Sequence, residues 1–181
     1  MSARGVSVSG APRAFYFAYG ANMSTPVLAG QRGLRPQISE AAELRGFRLV
    51  FDLPGIPLVE PAFASVIAEA GSVVPGVLHA LTPPEVQRLD RFESPRYQRK
   101  KLAVVGRSLG EVEAEVYVNR RPRPGGLPSR RYLDLLVRGA EEHGLSEAHI
   151  AWLRSHPSGD VALLRPFAGT LFALVRWARV G

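Results

Sequence analysis

The chain has 181 residues, 46% of them apolar, and a formal charge of +7; that length favours one domain with a sizeable core. It contains no cysteine, which excludes disulfides, thiolate metal sites and a cysteine nucleophile. Lys100 and Lys101 are the only lysines among its 23 basic residues, and the arginines are scattered without a nucleic-acid-binding motif, so they read as a solvated surface whose positive field suits an acidic small molecule.

Met1–Pro12 is small and polar with no apolar stretch, so it is not a signal peptide. Residues 1–13 read as a disordered lead-in to a domain over 14–157. The aromatic run from Phe15 to Tyr19 predicts a buried strand. Gly20 breaks it where a backbone turns without a Cβ penalty. Asn22 and Ser24 follow as residues suited to a helix start. Such a strand-turn-helix junction gathers outward N–H groups that suit an anion. An ordinary connecting loop has the same pattern.

Thr25–Ala29 reads as a short helix and Leu34–Glu43 as loop. Leu44–Asp52 reads as a strand with a glycine kink. The prolines of Leu53–Pro61 predict a surface loop. Ala62–Glu69 and Val73–Leu81 read as two strands. Thr82 and Glu85 stand at capping-box spacing ahead of a helix over Pro83–Glu93, which Pro95 stops. Gln98–Val105 and Glu111–Val118 read as strands, the second with a clean alternation. Asn119–Leu127 is an Arg/Pro/Gly loop. Ser129–His143 and Ser146–His156 read as helices. In the extension over 158–181, the apolar run Phe167–Val175 is too short to span a bilayer and is expected to pack on the body or on a partner chain. His79, His143, His149 and His156 fit no metal-ligand spacing and read as structural or surface residues. The fold class is α+β, with the sheet curled or closed into a barrel.

One carboxylate is out of place. On a helical wheel Glu93 falls between Val86 and Leu89, the inward residues of its helix. It also falls in the last turn, where the helix dipole disfavours an anion. Both effects raise a carboxyl pKa and prepare the group for proton transfer near neutral pH. A salt bridge to Arg96 or Arg99 is the competing reading. Tyr97, Tyr117 and Tyr132 are candidate hydroxyls for such a pocket, or core aromatics with wet tips.

Phe17-Ala18-Tyr19-Gly20-Ala21-Asn22-Met23 resembles the signature turn of the γ-glutamylcyclotransferase family, with Ala21 where a serine usually stands. Leu89-Asp90-Arg91-Phe92-Glu93 resembles the family segment ending in its catalytic glutamate. Pro128–Tyr132, continuing through Gly139-Ala140-Glu141 to Gly144-Leu145, resembles a third block, and the similarity runs from Phe15 to Leu145. The resemblance implies a small mixed β-barrel with surrounding helices and an acyl transfer within one molecule. A γ-glutamyl amine or amide would close to 5-oxoproline and release its amine.

Under that resemblance Glu93 is the general acid and base. Tyr16, Tyr19, Gly20, Ala21 and Asn22 bind substrate, the turn through its backbone N–H groups. Tyr97 and Tyr132 line the pocket. No metal, nucleotide or organic cofactor is implied. The expected partner is a small γ-glutamyl substrate, with no nucleic acid and no integral membrane span; a homodimer stays open, and the implied location is cytoplasmic. The loop over 119–127 and the extension after Pro157 fall outside the match. A catalytically silent binding protein of the same fold is the alternative function. An interaction module using the arginine surface or the apolar extension is a third.

Overall fold

The computed structural model describes residues 13–93, 95–123 and 125–159. The lead-in Met1–Pro12 and the apolar run Phe167–Val175 lie outside the described residues. Five strands form the body: β1 Ala14–Ala18, β2 Ile38–Ile56, β3 Glu60–Leu81, β4 Tyr97–Gly106 and β5 Gly110–Asn119. They close into a barrel in the order β1-β3-β2-β4-β5. All ladders are antiparallel except the closing one, where Tyr16 of β1 meets Glu115 of β5 in parallel. Closure removes the exposed strand edges that an open sheet would carry. The expected mixed barrel with surrounding helices is therefore the observed architecture.

Among the described residues three α-helices pack around the barrel: α1 Pro83–Asp90, α2 Arg130–Glu142 and α3 Glu147–Ser155. Each begins where its sequence signal predicts. The Glu85 carboxylate accepts from the Thr82 N–H at 2.8 Å. The Ser129 and Ser146 hydroxyls accept from the N–H groups of Tyr132 and His149. Such caps contribute about 1 kcal/mol each by satisfying donors that have no intrahelical partner. The core joins Phe17 of β1, Leu44 of β2, Val66 and Val77 of β3 and Val116 of β5 to Leu133, Leu136 and Leu153 of the helices.

Several expectations are corrected. Ile38–Glu43 belongs to β2 rather than a loop, because Ile38 to Glu43 pair with Ala80 to Pro75. Leu53–Pro61 is largely strand: β2 runs to Ile56 and β3 starts at Glu60, leaving a tight hairpin. The strands read as Ala62–Glu69 and Val73–Leu81 are one 22-residue strand. Proline and glycine mark loops only where the ladder does not hold them, and here long pairing overrides local punctuation. The glycine kink in β2 is a real irregularity, since the register shifts between Arg45 and Phe47. Pro26–Gln31 forms a single π-type turn in place of a short α-helix. Helix α1 ends at Asp90, so Glu93 lies beyond it.

Among the described residues no helix is long and apolar enough to cross a membrane. None of them form a cluster of three or more His, Asp or Glu placed to hold a metal ion.

Candidate active site

Strand β1 carries Tyr16 into the buried interior and hands the chain to Gly20. Gly20 is extended (φ −123°, ψ −150°), a conformation open to any residue. The expected reason for glycine is therefore replaced by another: a Cβ there would stand 2.9 Å from the Tyr132 hydroxyl. A 3-10 turn over Ala21–Met23 follows, held by Met23 N–H to Gly20 O at 3.0 Å and Ser24 N–H to Ala21 O at 3.1 Å. The amides of Met23 and Ser24 are thus satisfied inside the turn.

Asn22 is 7% exposed and does not cap a helix as the pattern suggested. Its side-chain amide donates to Glu93 Oε1 at 2.9 Å and to the Tyr16 hydroxyl at 3.0 Å. Its side-chain Oδ1 accepts from Arg32 Nε at 3.4 Å. Residues 71 positions apart therefore share one hydrogen bond.

Glu93 follows the C-terminal turn of α1, with its N–H on Leu89 O at 3.3 Å. The residue is half-buried, but its carboxyl points inward, and its pKa is raised. The first cause is loss of solvation. The Arg32 guanidinium and the Asn22 hydrogen bond oppose it, and Asp90 adds to it. The expected partners Arg96 and Arg99 do not play that role. Arg99 pairs with Asp90 at 3.0 Å, and Arg96 donates to Pro54 O at 3.1 Å. Arg32 lies over the Phe92 ring, 5.0 Å from its centre, in a cation–π contact that holds the guanidinium next to Glu93.

The sign of this shift makes a prediction about stability. A carboxyl held above its ordinary value favours folding most when protonated, and its contribution is lost as pH rises from about 4.5 through the raised value. Glu93→Gln removes that loss. The variant is expected to gain thermal stability relative to wild type between pH 4.5 and pH 8, with little difference at the acid end. Parallel melting curves across that range check it; a constant difference would contradict the raised pKa.

All five tyrosines of the chain lie near this acid. Tyr16, Tyr19, Tyr97, Tyr117 and Tyr132 each have a raised pKa, burial being the first cause and the negative charge of Glu93 a contributor. Their hydroxyls are not equivalent. Tyr19 donates to Tyr117 O and Tyr97 to Ala64 O, so both expected substrate-binding hydroxyls are committed to backbone. Tyr117 donates to Asp90 Oδ1 at 2.6 Å. Tyr132 accepts from Ala64 N–H at 3.3 Å. A phenolic hydroxyl that accepts from an N–H keeps its own proton to donate.

Two site residues, Arg32 and His79, escaped the sequence reading. Arg32 carried no signal, because nothing local links it to Glu93. His79 carried one, as a lone polar residue in the apolar run from Val77 to Leu81. Asp52 sits at a second irregularity of β2, between Val50 and Leu53, and accepts from Asn119 Nδ2 at 3.1 Å. Bulges of this kind re-aim a side chain near a site. A separate groove is lined by Arg13, Phe15, Lys101, Glu113 and Glu115, and it shares no residue with the cluster around Glu93.

The model of the AIG2-like family matches residues 73–153, a span containing Glu93, Tyr97, Tyr117 and Tyr132. Gamma-glutamyl cyclotransferase gliK of Aspergillus fumigatus is 29% identical over 191 residues, covering 90% of this chain and 70% of that protein. Gamma-glutamyl cyclotransferase aclK of Aspergillus oryzae is 26% identical, covering 79% of this chain and 61% of that protein. Among solved structures, a gamma-glutamyl cyclotransferase superposes with a TM-score of 0.72 at 22% identity, over 83% of this chain and 92% of that one. YkqA from Bacillus subtilis superposes with a TM-score of 0.69 at 22% identity, over 81% of this chain and 56% of that one. The barrel agrees with the fold of these structures, and over residues 73–153 the chain is similar to the AIG2-like family.

Proposed function

We propose that the protein is a cyclotransferase that closes a γ-glutamyl amine or amide to 5-oxoproline and releases the amine, with Glu93 as general base and then general acid. The single observation that carries this reading is the 2.9 Å contact between Asn22 Nδ2 and Glu93 Oε1, which sets a desolvated carboxyl against the turn. The names of the curated relatives agree with it.

In the first step Glu93 takes a proton from the substrate's α-ammonium. The freed amine attacks the γ-carbonyl carbon of the same molecule, forming the ring bond and an oxyanion. The ring nitrogen gives up its second proton to solvent, the oxyanion collapses, the bond to the leaving nitrogen breaks, and Glu93 returns its proton to that nitrogen, leaving a neutral lactam and the free amine. Because nucleophile and electrophile are tethered, the protein supplies neither. Correct folding of the substrate can lower such a barrier by roughly 7–11 kcal/mol.

Three contributions fall to the chain. The Asn22 amide and Arg32 steady the ionised form of Glu93, so its pKa is raised by burial without being locked there. Tyr132, which accepts from the Ala64 N–H, has a hydroxyl proton to donate to the developing oxyanion, the kind of preorganised donor that stabilises such charge. Tyr16 holds the Asn22 amide in place. Tyr19 and Tyr97 shape the walls through their rings while their hydroxyls brace the backbone.

The test is a panel of γ-glutamyl amines, γ-glutamyl amino acids and related amides, followed for 5-oxoproline and free amine in equal amounts. Release from at least one member is expected. Binding of panel members without release from any would leave a silent binding protein of the same fold.

A further inference from the structure

His79 lies in the middle of the apolar end of β3 and is 1% exposed. Its ring is enclosed by groups from four elements. Nε2 stands 3.2 Å from the backbone oxygen of Asn22, and Nδ1 stands 2.8 Å from Ser39 Oγ of β2. Tyr16 of β1 stacks on it with ring centres 6.0 Å apart and planes 21° apart. His143, at the C-terminal end of α2, meets it edge-on at 6.0 Å. Tyr16 and His143 are therefore the titratable groups that face it.

The hydrogen bonds fix the tautomer. A carbonyl oxygen only accepts, so Nε2 carries the proton and donates to Asn22. Nδ1 is then the lone-pair nitrogen, and the Ser39 hydroxyl donates to it. The result is a directed chain, Ser39 to His79 to Asn22, running from β2 across β3 to the turn. Burial and the neighbouring His143 lower the ring's pKa to about 3, so the chain keeps this direction throughout the neutral range.

The chain ends on the residue whose side chain holds Glu93. Its second contact, the stack on Tyr16, braces the other acceptor of the Asn22 amide. The backbone oxygen and the side chain of Asn22 are thus pinned from one ring. We propose that His79 is a positioning residue: by holding the Asn22 carbonyl and the Tyr16 ring, it aims the Asn22 amide at Glu93 and sets the acidity of that carboxyl. His79 does not touch the reacting atoms. Its catalytic consequence rests on the role proposed for Glu93, whereas its effect on the Glu93 titration does not.

The experiment compares wild type with His79→Gln, His79→Leu and Ser39→Ala. Gln retains a donor for the Asn22 carbonyl and an acceptor for Ser39; Leu retains neither. The first readout is the Glu93 carboxyl titration followed by carbon-13 NMR, with the enzyme free of substrate. Losing a well-aimed Asn22 donor disfavours the ionised form, so the midpoint is expected to rise in His79→Leu. It should return toward wild type in His79→Gln, and rise by less in Ser39→Ala. The second readout is kinetic. His79→Leu is expected to lose about tenfold in kcat, the worth of one misdirected hydrogen bond, with the acid limb of the pH profile moved upward and KM less affected. His79→Gln should recover both.

A merely structural role would lower the melting temperature of the Leu and Gln variants without this rescue pattern. An unchanged Glu93 midpoint in His79→Leu overturns the proposal. If that variant does not fold, an unchanged midpoint in Ser39→Ala, or nitrogen-15 spectra showing the proton on Nδ1 of wild type, overturns it equally. If the protein releases no 5-oxoproline, the cyclotransferase reading fails while the titration still decides the role of His79.

Discussion

Glu93→Gln is expected to lower kcat/KM for 5-oxoproline release by about 10²- to 10⁴-fold, the usual worth of a positioned general acid–base, while leaving the fold intact. Glutamine keeps the shape of the side chain and an oxygen to accept from Asn22 Nδ2 at the present 2.9 Å. What it loses is the ability to take and return a proton. The barrier should rise by about 3–5 kcal/mol, shared between ring closure and departure of the amine because one carboxyl serves both. Residual activity would come from substrate folding and from Tyr132. Glu93→Asp is the informative companion. It retains the proton chemistry but shortens the side chain, withdrawing the acid from Asn22. A melting curve for each variant separates lost chemistry from lost structure. Full activity in Glu93→Gln would remove the acid from the mechanism altogether.

A large structural effect is expected at Gly76. It lies in β3 opposite the end of β1, and a Cβ there would stand 2.6 Å from the Phe17 ring and closer still to the Ala18 carbonyl oxygen. A ring tip can rotate, but a backbone oxygen in a paired strand moves only with its strand. Overpacking of this kind costs about 1–3 kcal/mol. Relief of glycine's conformational entropy returns at most about 1 kcal/mol. The steric effect wins, and Gly76→Ala is expected to lose about 2 kcal/mol. For a chain of this size that lowers the melting temperature by about 4–8 °C. Because β1 leads directly into the turn at Gly20, activity should fall as well. Gly30→Ala is the control, since nothing lies within 4 Å of a Cβ at Gly30. Equal melting temperatures for Gly76→Ala and wild type would mean that β1 and β3 have room that their contacts do not show.

The two substitutions probe different layers of one arrangement. Gly76 holds the distance between β1 and β3 and so places the turn. Asn22, on that turn, meets Glu93, and Arg32 tempers the acid through charge. The tyrosines close around them. Most of these rings bury their hydroxyls on partners already present, which rigidifies the walls. The Tyr132 hydroxyl accepts from an N–H, and this distinguishes it from Tyr19 and Tyr97, whose hydroxyls donate to backbone carbonyls and which the sequence reading had grouped with it.

Much of this was legible in the chain itself because it depends on short-range chemistry. The starts of α1, α2 and α3 follow from Thr82, Ser129 and Ser146, each within three residues of the amide or carboxylate it engages. The buried strand at Phe17, the alternation of β5 and the inward bias of Glu93 are periodicities of one segment. The blocks around Asn22, Glu93 and Tyr132 carried the family resemblance. What only the tertiary structure decided depends on residues far apart in sequence. Closure of the barrel made strand of Ile38–Glu43 and of the proline-rich Leu53–Ile56, since ladder partners outweigh local turn preference. The need for glycine at position 20 came from Tyr132 rather than from backbone angles. Glu93 found Asn22 and Arg32 in place of Arg96 and Arg99, and His79 found the turn. Hydrogen bonding and desolvation act over a few ångströms in space, and a linear sequence does not say which distant residues will occupy that space.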